Sequence, residues 1–349
     1  MATIAAPTKI RFRDLQVEMA HGAGGKASRR LVEGLFAPLL FGMDAAEPLG
    51  DAAHLDFGAT RIGITTDSFV VRPLRFPGGS IGELAVNGTV NDLAVSGARA
   101  EALVVSYILE SGLPTPVLEA EVRAMGEAAR KAGVMIVSGD TKVVEHGKAD
   151  GMYITTAGIG RAIAGLRLSP RSVRPGDQVI LSGPVGDHGI TILLARGELD
   201  LESDVCSDTR PVLPFVEALV AAAAPGLRWM RDPTRGGLAT SLNELARDCG
   251  LGIVLHEDWI PVHDAVRGAC ELLGLDPLHI ANEGQFVAVL APEFAELALD
   301  ALQRTPGGEE AAIIGEVRAA PSATVLGIAP YGGTRVIDML VGDPLPRIC

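Results

Sequence analysis

The sequence predicts a two-domain α/β (α+β) protein. Its length of 349 residues is about twice that of a usual domain. Apolar runs alternate with amphipathic stretches along the chain. A break marked by proline and glycine, Ser169-Pro-Arg-Ser-Val-Arg-Pro-Gly176, falls near the middle.

The elements follow in order. Arg61-Ile-Gly-Ile-Thr-Thr66 reads as a strand that ends at Asp67. Residues 81–95 read as a helix, with Ile81, Leu84, Ala85, Gly88 and Val95 on one small-residue face. Residues 102–109, rich in Val, Tyr and Ile, predict a strand. Residues 119–132 predict a second helix, with Val122, Met125 and Ala129 inward and Gly133 as its stop. Val134-Met-Ile-Val137 reads as a buried strand running into Ser138-Gly139-Asp140, and 152–159 as another. Past the break, Val179-Ile-Leu181 is a strand, and Gly183-Pro-Val-Gly-Asp-His-Gly189 is a tight loop before a helix. Residues 238–249 show helical spacing, 286–290 a buried strand and 335–341 a last strand. Two prolines in Gly342-Asp-Pro-Leu-Pro-Arg-Ile-Cys349 forbid a helix there. The segment should be extended and poorly packed, with a reach of at most roughly 26 Å.

Composition excludes several classes. The formal net charge of −13 argues against a broad nucleic-acid or anionic-membrane surface. No uncharged apolar run approaches the ~18 residues that span a bilayer. Residues 1–14 lack the apolar core of a secretory signal. Four cysteines without a C-x-x-C pattern make neither a disulfide framework nor a zinc site, so a reducing cytoplasm is the expected setting. Cys249 and Cys270 lie on apolar helix faces, Cys206 in a polar loop and Cys349 at the end of the chain.

Acidic residues carry the first chemical signal. Asp51 follows a glycine, Asp67 and Asp140 close strands, and Asp92 sits in Asn91-Asp-Leu-Ala-Val-Ser-Gly-Ala98. Strand ends converge on one edge of an α/β sheet, where ligands bind. Carboxylates gathered there repel one another unless a hard cation such as Mg²⁺ sits among them. Lys142 would add a positive charge for phosphate. Each aspartate alone reads equally well as a turn or cap residue. His21-Gly-Ala-Gly-Gly-Lys26 and Gly186-Asp-His-Gly189 precede helices, where backbone N–H groups can cradle anions, or simply turn the chain. In Arg231-Asp-Pro-Thr-Arg-Gly-Gly237, Asp232 or Thr234 could cap the next helix. Glu283, before an apolar strand, could be a general base or a loop residue. Cys349 is either an incidental thiol or a carrier on a proline-stiffened arm.

These residues resemble the hydrogenase-maturation carbamoyl dehydratases, the HypE family. The resemblance lies in His21-Gly-Ala-Gly-Gly25, Phe76-Pro-Gly-Gly79, Asn91-Asp-Leu-Ala-Val-Ser-Gly-Ala98, Ser138-Gly-Asp-Thr-Lys-Val-Val144, Gly186-Asp-His-Gly189, Asp232-Pro-Thr-Arg-Gly-Gly237 and Asn282-Glu-Gly284. The ending Pro346-Arg-Ile-Cys349 is its most specific element. Gln285 stands where the family often has a basic residue.

The resemblance implies a two-domain aminoimidazole ribonucleotide synthetase-like fold with a flexible C-terminal tail. Residues 1–45 would be an N-terminal segment and 46–168 the ATP-binding domain, whose sheet forms a homodimer. Residues 169–320 would be the C-terminal domain and 321–349 a last strand with the cysteine tail. A HypF-type carbamoyltransferase would load Cys349. ATP would then drive dehydration of the thiocarbamate to a thiocyanate, and the cyanide would pass to iron on a HypC–HypD complex. Phosphorylation turns the poor amide-oxygen leaving group into a good one. By the same resemblance, Glu283 is the base and Lys142 orients the oxygen or phosphate. Gly24, Gly25, Asp67, Asn91, Asp92, Gly139, Asp140, Thr141 and His188 line the nucleotide site, and Asp51, Asp67, Asp92 and Asp140 surround Mg²⁺. Two alternatives remain at this point: another ATP-dependent enzyme of the superfamily, or a non-enzymatic thiol carrier.

Overall fold

Period-two patterning from Ala53 onward builds the first of two sheets. The computed structural model describes residues 11–22, 24–40, 49–197, 199, 203–342, 345 and 347–349. Parts of the predicted N-terminal segment (1–10, Ala23 and 41–45) and both tail prolines, Pro344 and Pro346, lie outside the described residues. The chain enters through α1 (Gly25–Leu31) and α2 (Ala37–Leu40). There follow β1 (Ala53–Phe57), β2 (Thr60–Phe69), β3 (Arg75–Phe76), β4 (Gly79–Ser80), α3 (Ile81–Val95), β5 (Ala98–Glu110), α4 (Thr115–Ala132), β6 (Met135–Val144) and β7 (Met152–Ala162). Strands β3 and β4 pair as a small ribbon; the other five form a sheet in the order β1-β2-β7-β5-β6. Only β5 and β6 are parallel, with α4 as their crossover.

Helix α3 matches its predicted span and is buried along nearly all its length. Its glycines are there for clearance. A Cβ on Gly82 would lie 2.1 Å from the Glu121 carbonyl oxygen, and one on Gly88 2.9 Å from the Phe69 ring. Helix α4 starts at Thr115, earlier than predicted, and ends at Gly133 with φ 68°.

Two strands run past their predicted ends. β2 continues through Asp67 because its pairing with β7 persists to Phe69 opposite Ile154. β6 continues through Asp140 because its pairing with β5 persists to Val144 opposite Glu110. Neither aspartate closes a strand. β6 is also not buried in this chain: it is an edge strand, with Met135 65%, Val137 58% and Val143 66% exposed. Val104, Ile108 and Ile159 on neighbouring strands are exposed as well.

The second unit contains β8 (Gln178–Leu181), α5 (Asp187–Ala195), α6 (Leu213–Ala223), β9 (Leu227–Arg231), α7 (Gly237–Cys249), β10 (Gly252–His256), α8 (Asp264–Leu273), β11 (Val287–Leu290), α9 (Pro292–Gln303), β12 (Ala312–Arg318), β13 (Thr324–Ile328) and β14 (Thr334–Ile337). Its seven strands lie in the order β14-β13-β10-β12-β8-β11-β9. This sheet takes in β13 and β14, beyond the expected boundary at 320. The end of α3 joins the units, with Ala94 and Val95 in one core with Val216, Leu219 and Phe286. No helix among the described residues is long and apolar enough to cross a membrane.

The tail departs from expectation. Leu345, Ile348 and Cys349 are only 3%, 2% and 8% exposed. They share a core with Ile190, Val266 and Ile280, so apolar side chains outweigh the poor packing expected of a proline-rich segment.

Candidate active site

The acidic residues gather where the two units meet. Asp51 lies in the turn before β1, Asp92 in α3 and Asp232 directly after β9. One carboxylate oxygen from each lies within 4.8 Å of the others. Thr65 Oγ1, in β2, lies 2.9 Å from Asp92 Oδ2 and 2.7 Å from the Asp51 carbonyl oxygen, its one proton shared between them, and so ties two of them together. Arg231 Nε lies 2.9 Å from Asp51, and its Nη1 lies 2.8 Å from Glu244. Burial raises the carboxyls of Asp92 and Asp232 well above the usual range, and the neighbouring acids add to it. Burial also raises Asp51, against the pull of Arg231, and Asp67, against that of Arg235. Three converging carboxyl groups whose ionisation is opposed by burial and by one another could serve as donors to a hard divalent cation.

Glu283 lies in the loop before β11, 4% exposed, and its Oε1 has no hydrogen-bond partner among the described residues. Burial raises it well above the usual range, with Asp67, Asp232 and Asp208 contributing. Asp208 anchors this loop by accepting the N–H groups of Glu283 and Gly284 at 3.0 and 3.2 Å.

The tail runs beside β2. Just past the end of β2, Val70 N–H donates to the main-chain carboxylate oxygen of Cys349 at 3.1 Å, and Arg72 N–H to the Arg347 carbonyl at 3.3 Å. Val70 is three residues beyond Asp67, so the tail's end lies about 10 Å along the strand from that carboxyl. Arg196 donates to the Arg347 carbonyl at 3.0 Å, and the Arg347 side chain pairs with Asp150.

The other predicted residues separate. His188 is fully buried and meets the tail: its Nε2 lies 2.7 Å from the Ile348 carbonyl, its Nδ1 2.7 Å from Ser207 Oγ. Asn91 is spent on structure. Its amide donates to the carbonyls of Arg210 and Glu283 and accepts Val212 N–H at 2.8 Å, which locks α3 to both loops. Gly24 and Gly25 have φ 80° and 66°, but the N–H groups of Lys26 and Ala27 already donate to the Leu340 and Val341 carbonyls. That removes two donors from the expected anion cradle. Gly139, Asp140, Thr141 and Lys142 lie on β6, where exposed Asp140 pairs with Lys142. Ser68, Thr155, Ser106 and Asp140 form one row across β2, β7, β5 and β6. Three strand spacings put Asp140 ~14 Å from Ser68, too far to join the cluster of its own chain.

Asp232 is not the cap the sequence suggested: α7 begins at Gly237, with Gly236 at φ 76° as its N-cap. Its position just past the apolar strand 227–231 was the available signal. Asp208 sits in a polar loop with no such signal. Buried Gln285 accepts from Ser182 at 2.8 Å and Arg210 at 3.2 Å.

The comparisons agree with this architecture. Residues 49–162 match the N-terminal domain of AIR synthase related proteins, and residues 174–327 match the C-terminal domain. The chain is thus a two-domain AIR synthase related protein. It is 49% identical to the carbamoyl dehydratase HypE of Azotobacter vinelandii, over 98% of this chain and all of that one. A HypE solved in a HypE–HypF complex aligns with TM-score 0.84 at 42% identity, over 89% of this chain and 99% of that one. A HypE solved in complex with ATP aligns with TM-score 0.79 at 45% identity, over 95% and 99%. The chain belongs to the HypE family of carbamoyl dehydratases.

Proposed function

We propose that this chain uses ATP to dehydrate an S-carbamoyl group on its own Cys349 to a thiocyanate, supplying cyanide for the iron of a nickel–iron hydrogenase. The observation that carries this reading is the seat of the tail. The cysteine is the last residue, and its main-chain carboxylate oxygen accepts Val70 N–H just past β2, three residues beyond Asp67. A substrate attached to the chain would thereby start about 10 Å along the chain from Asp67, with no diffusional step.

Asp51, Asp92 and Asp232, with Asp67 beside them, would hold Mg²⁺. Their three converging oxygens fit such an ion. Mg²⁺ supplies charge neutralisation for the triphosphate and the transferred phosphoryl group. The γ-phosphoryl group would pass to the carbamoyl oxygen with loss of one of the two nitrogen protons, giving an imidate phosphate. The Glu283 carboxylate would take the remaining nitrogen proton as the C–O bond breaks and phosphate leaves. The packed side chains of Leu345 and Ile348 keep water from the activated group.

The chain acts in this reading as a homodimer. Met135, Val137, Val104, Ile108 and Ile159 are left exposed on β5, β6 and β7, and a second copy would bury them. Pairing of the two faces would carry Gly139, Asp140, Thr141 and Lys142 toward the partner's nucleotide. A HypF-type carbamoyltransferase would load Cys349, and a HypC–HypD complex would receive the cyanide, in a reducing cytoplasm that keeps the thiol reactive.

The test is mass spectrometry of the C-terminal peptide after carbamoyl loading. Loss of one water only when ATP is present is expected, as is no modification in Cys349→Ala. ATP turnover with a free small molecule that is unchanged in Cys349→Ala would overturn the reading.

A further inference from the structure

The loop from Gly186 to Gly189 and the start of α5 read from sequence as an anion cradle, but they hold the tail. A Cβ on Gly189 would come 2.5 Å from Ile280 and 3.4 Å from Leu345. Only glycine there lets the tail's Leu345 and the Ile280 wall close on the same turn. The next side chain, His188, is fully buried and points its Nε2 at the Ile348 carbonyl. A carbonyl only accepts, so Nε2 carries the proton. Nδ1 of the neutral ring then accepts from the Ser207 hydroxyl. Ser207 is itself held, since its N–H donates to the Pro77 carbonyl at 2.9 Å and its Oγ accepts Thr209 N–H at 3.2 Å. Ribbon β3–β4 thus fixes Ser207, Ser207 selects the ring tautomer, and the ring fixes the peptide bond leading into Cys349. The imidazole also packs edge-on to Phe76, with ring centroids 5.6 Å apart.

We infer that His188 is a positioning residue for the dehydration: by donating to the Ile348 carbonyl, it sets the register in which Cys349 enters the site. It acts through the backbone of the tail and touches no reacting atom. The inference rests on the self-modifying reaction proposed above. Its test needs neither ATP nor a carbamoyl group, so either can fail without the other.

The probe is iodoacetamide on the full chain. Alkylation of Cys349 is followed on the C-terminal peptide by mass spectrometry, with buried Cys270 as the internal reference. Losing one buried hydrogen bond at the seat should raise the undocked fraction about tenfold. In His188→Leu, Cys349 is therefore expected to react about tenfold faster than in wild type, with Cys270 unchanged. In His188→Gln, whose amide keeps an N–H donor, the rate should return most of the way. Ser207→Ala leaves the ring in place but frees its tautomer, and should give a smaller acceleration. A wild-type rate in His188→Leu, or equal acceleration in the Gln and Leu variants, overturns the inference. Should His188→Leu fail to fold, a wild-type rate in Ser207→Ala overturns it. In the ATP-driven reaction, His188→Leu should slow water loss without changing nucleotide affinity.

Discussion

Asp92 and Asp140 carry the same side chain and meet opposite fates. Asp92 is enclosed at the junction of the two units, where burial and three other aspartates raise its carboxyl. Asp140 stands exposed on β6, where the hydrogen bond from Lys142 and the Thr141 N–H lower it. An acid held short of its charge gains most from an incoming cation. An acid already ionised and paired on a surface becomes part of a site only when a second surface covers it. In the proposed homodimer the two regions would complete one site from two chains.

The largest expected effect comes from the enclosed half. Asp92→Asn would remove one proposed cation ligand and should cut ATP-driven conversion of the tail by about a hundredfold or more, about 2.7 kcal/mol of transition-state stabilisation. The same change relieves crowding among acids. Without divalent cation, the variant should melt a degree or two higher than wild type at neutral pH. Calorimetry with and without Mg²⁺ reads both parts. A lower melting temperature together with undiminished turnover would show that the cluster is structural.

The exposed half is tested by mixing chains. If β6 serves the partner's site, an Asp92→Asn chain paired with an Asp140→Asn chain rebuilds one intact site. Each variant alone is expected to be inactive. An equal mixture, dissociated and reassociated, should recover about a quarter of wild-type turnover, since half the dimers are mixed and each holds one good site. Val137→Asp, placed on the exposed face, should shift the protein to monomer in sedimentation and abolish the recovery. Mixtures that stay inactive while dimers form would put Asp140 outside the partner's site.

The sequence made local order legible where periodicity was strong. Helix α3 was marked by Ile81, Leu84 and Ala85 one helical turn apart, and its span needed no correction. Strand ends were less legible, because β2 and β6 stop where a distant partner stops, which the local pattern does not carry. The family's motifs pointed to the right stretches, but the duties inside them depend on three-dimensional neighbours. Asn91 and His188 sit in glycine- and acid-rich motifs, yet one bonds two loops and the other holds the tail. Asp208 was invisible because only folding sets its carboxylate beneath the N–H groups of Glu283 and Gly284.

The smallest expected effect separates the two buried polar centres by pH. Burial pushes His188 down to about 4 from 6.5. The unfolded chain therefore binds the extra proton first, and this contribution to stability is lost as pH falls from about 6.5 to 4. Burial pushes Asp208 up to about 6 from 3.8, so its contribution is lost in the opposite direction, as pH rises through that interval. His188→Gln should therefore flatten the fall in melting temperature on acidification, and Asp208→Asn should flatten the fall on moving from pH 4 to 6. Each change is a few degrees at most. The sign of each difference is the informative quantity. Burial opposes charge in both groups, so the tail seat weakens in acid while the Glu283 loop weakens as the pH approaches neutrality. Parallel pH profiles for wild type and both variants would mean that neither group changes its proton occupancy on folding.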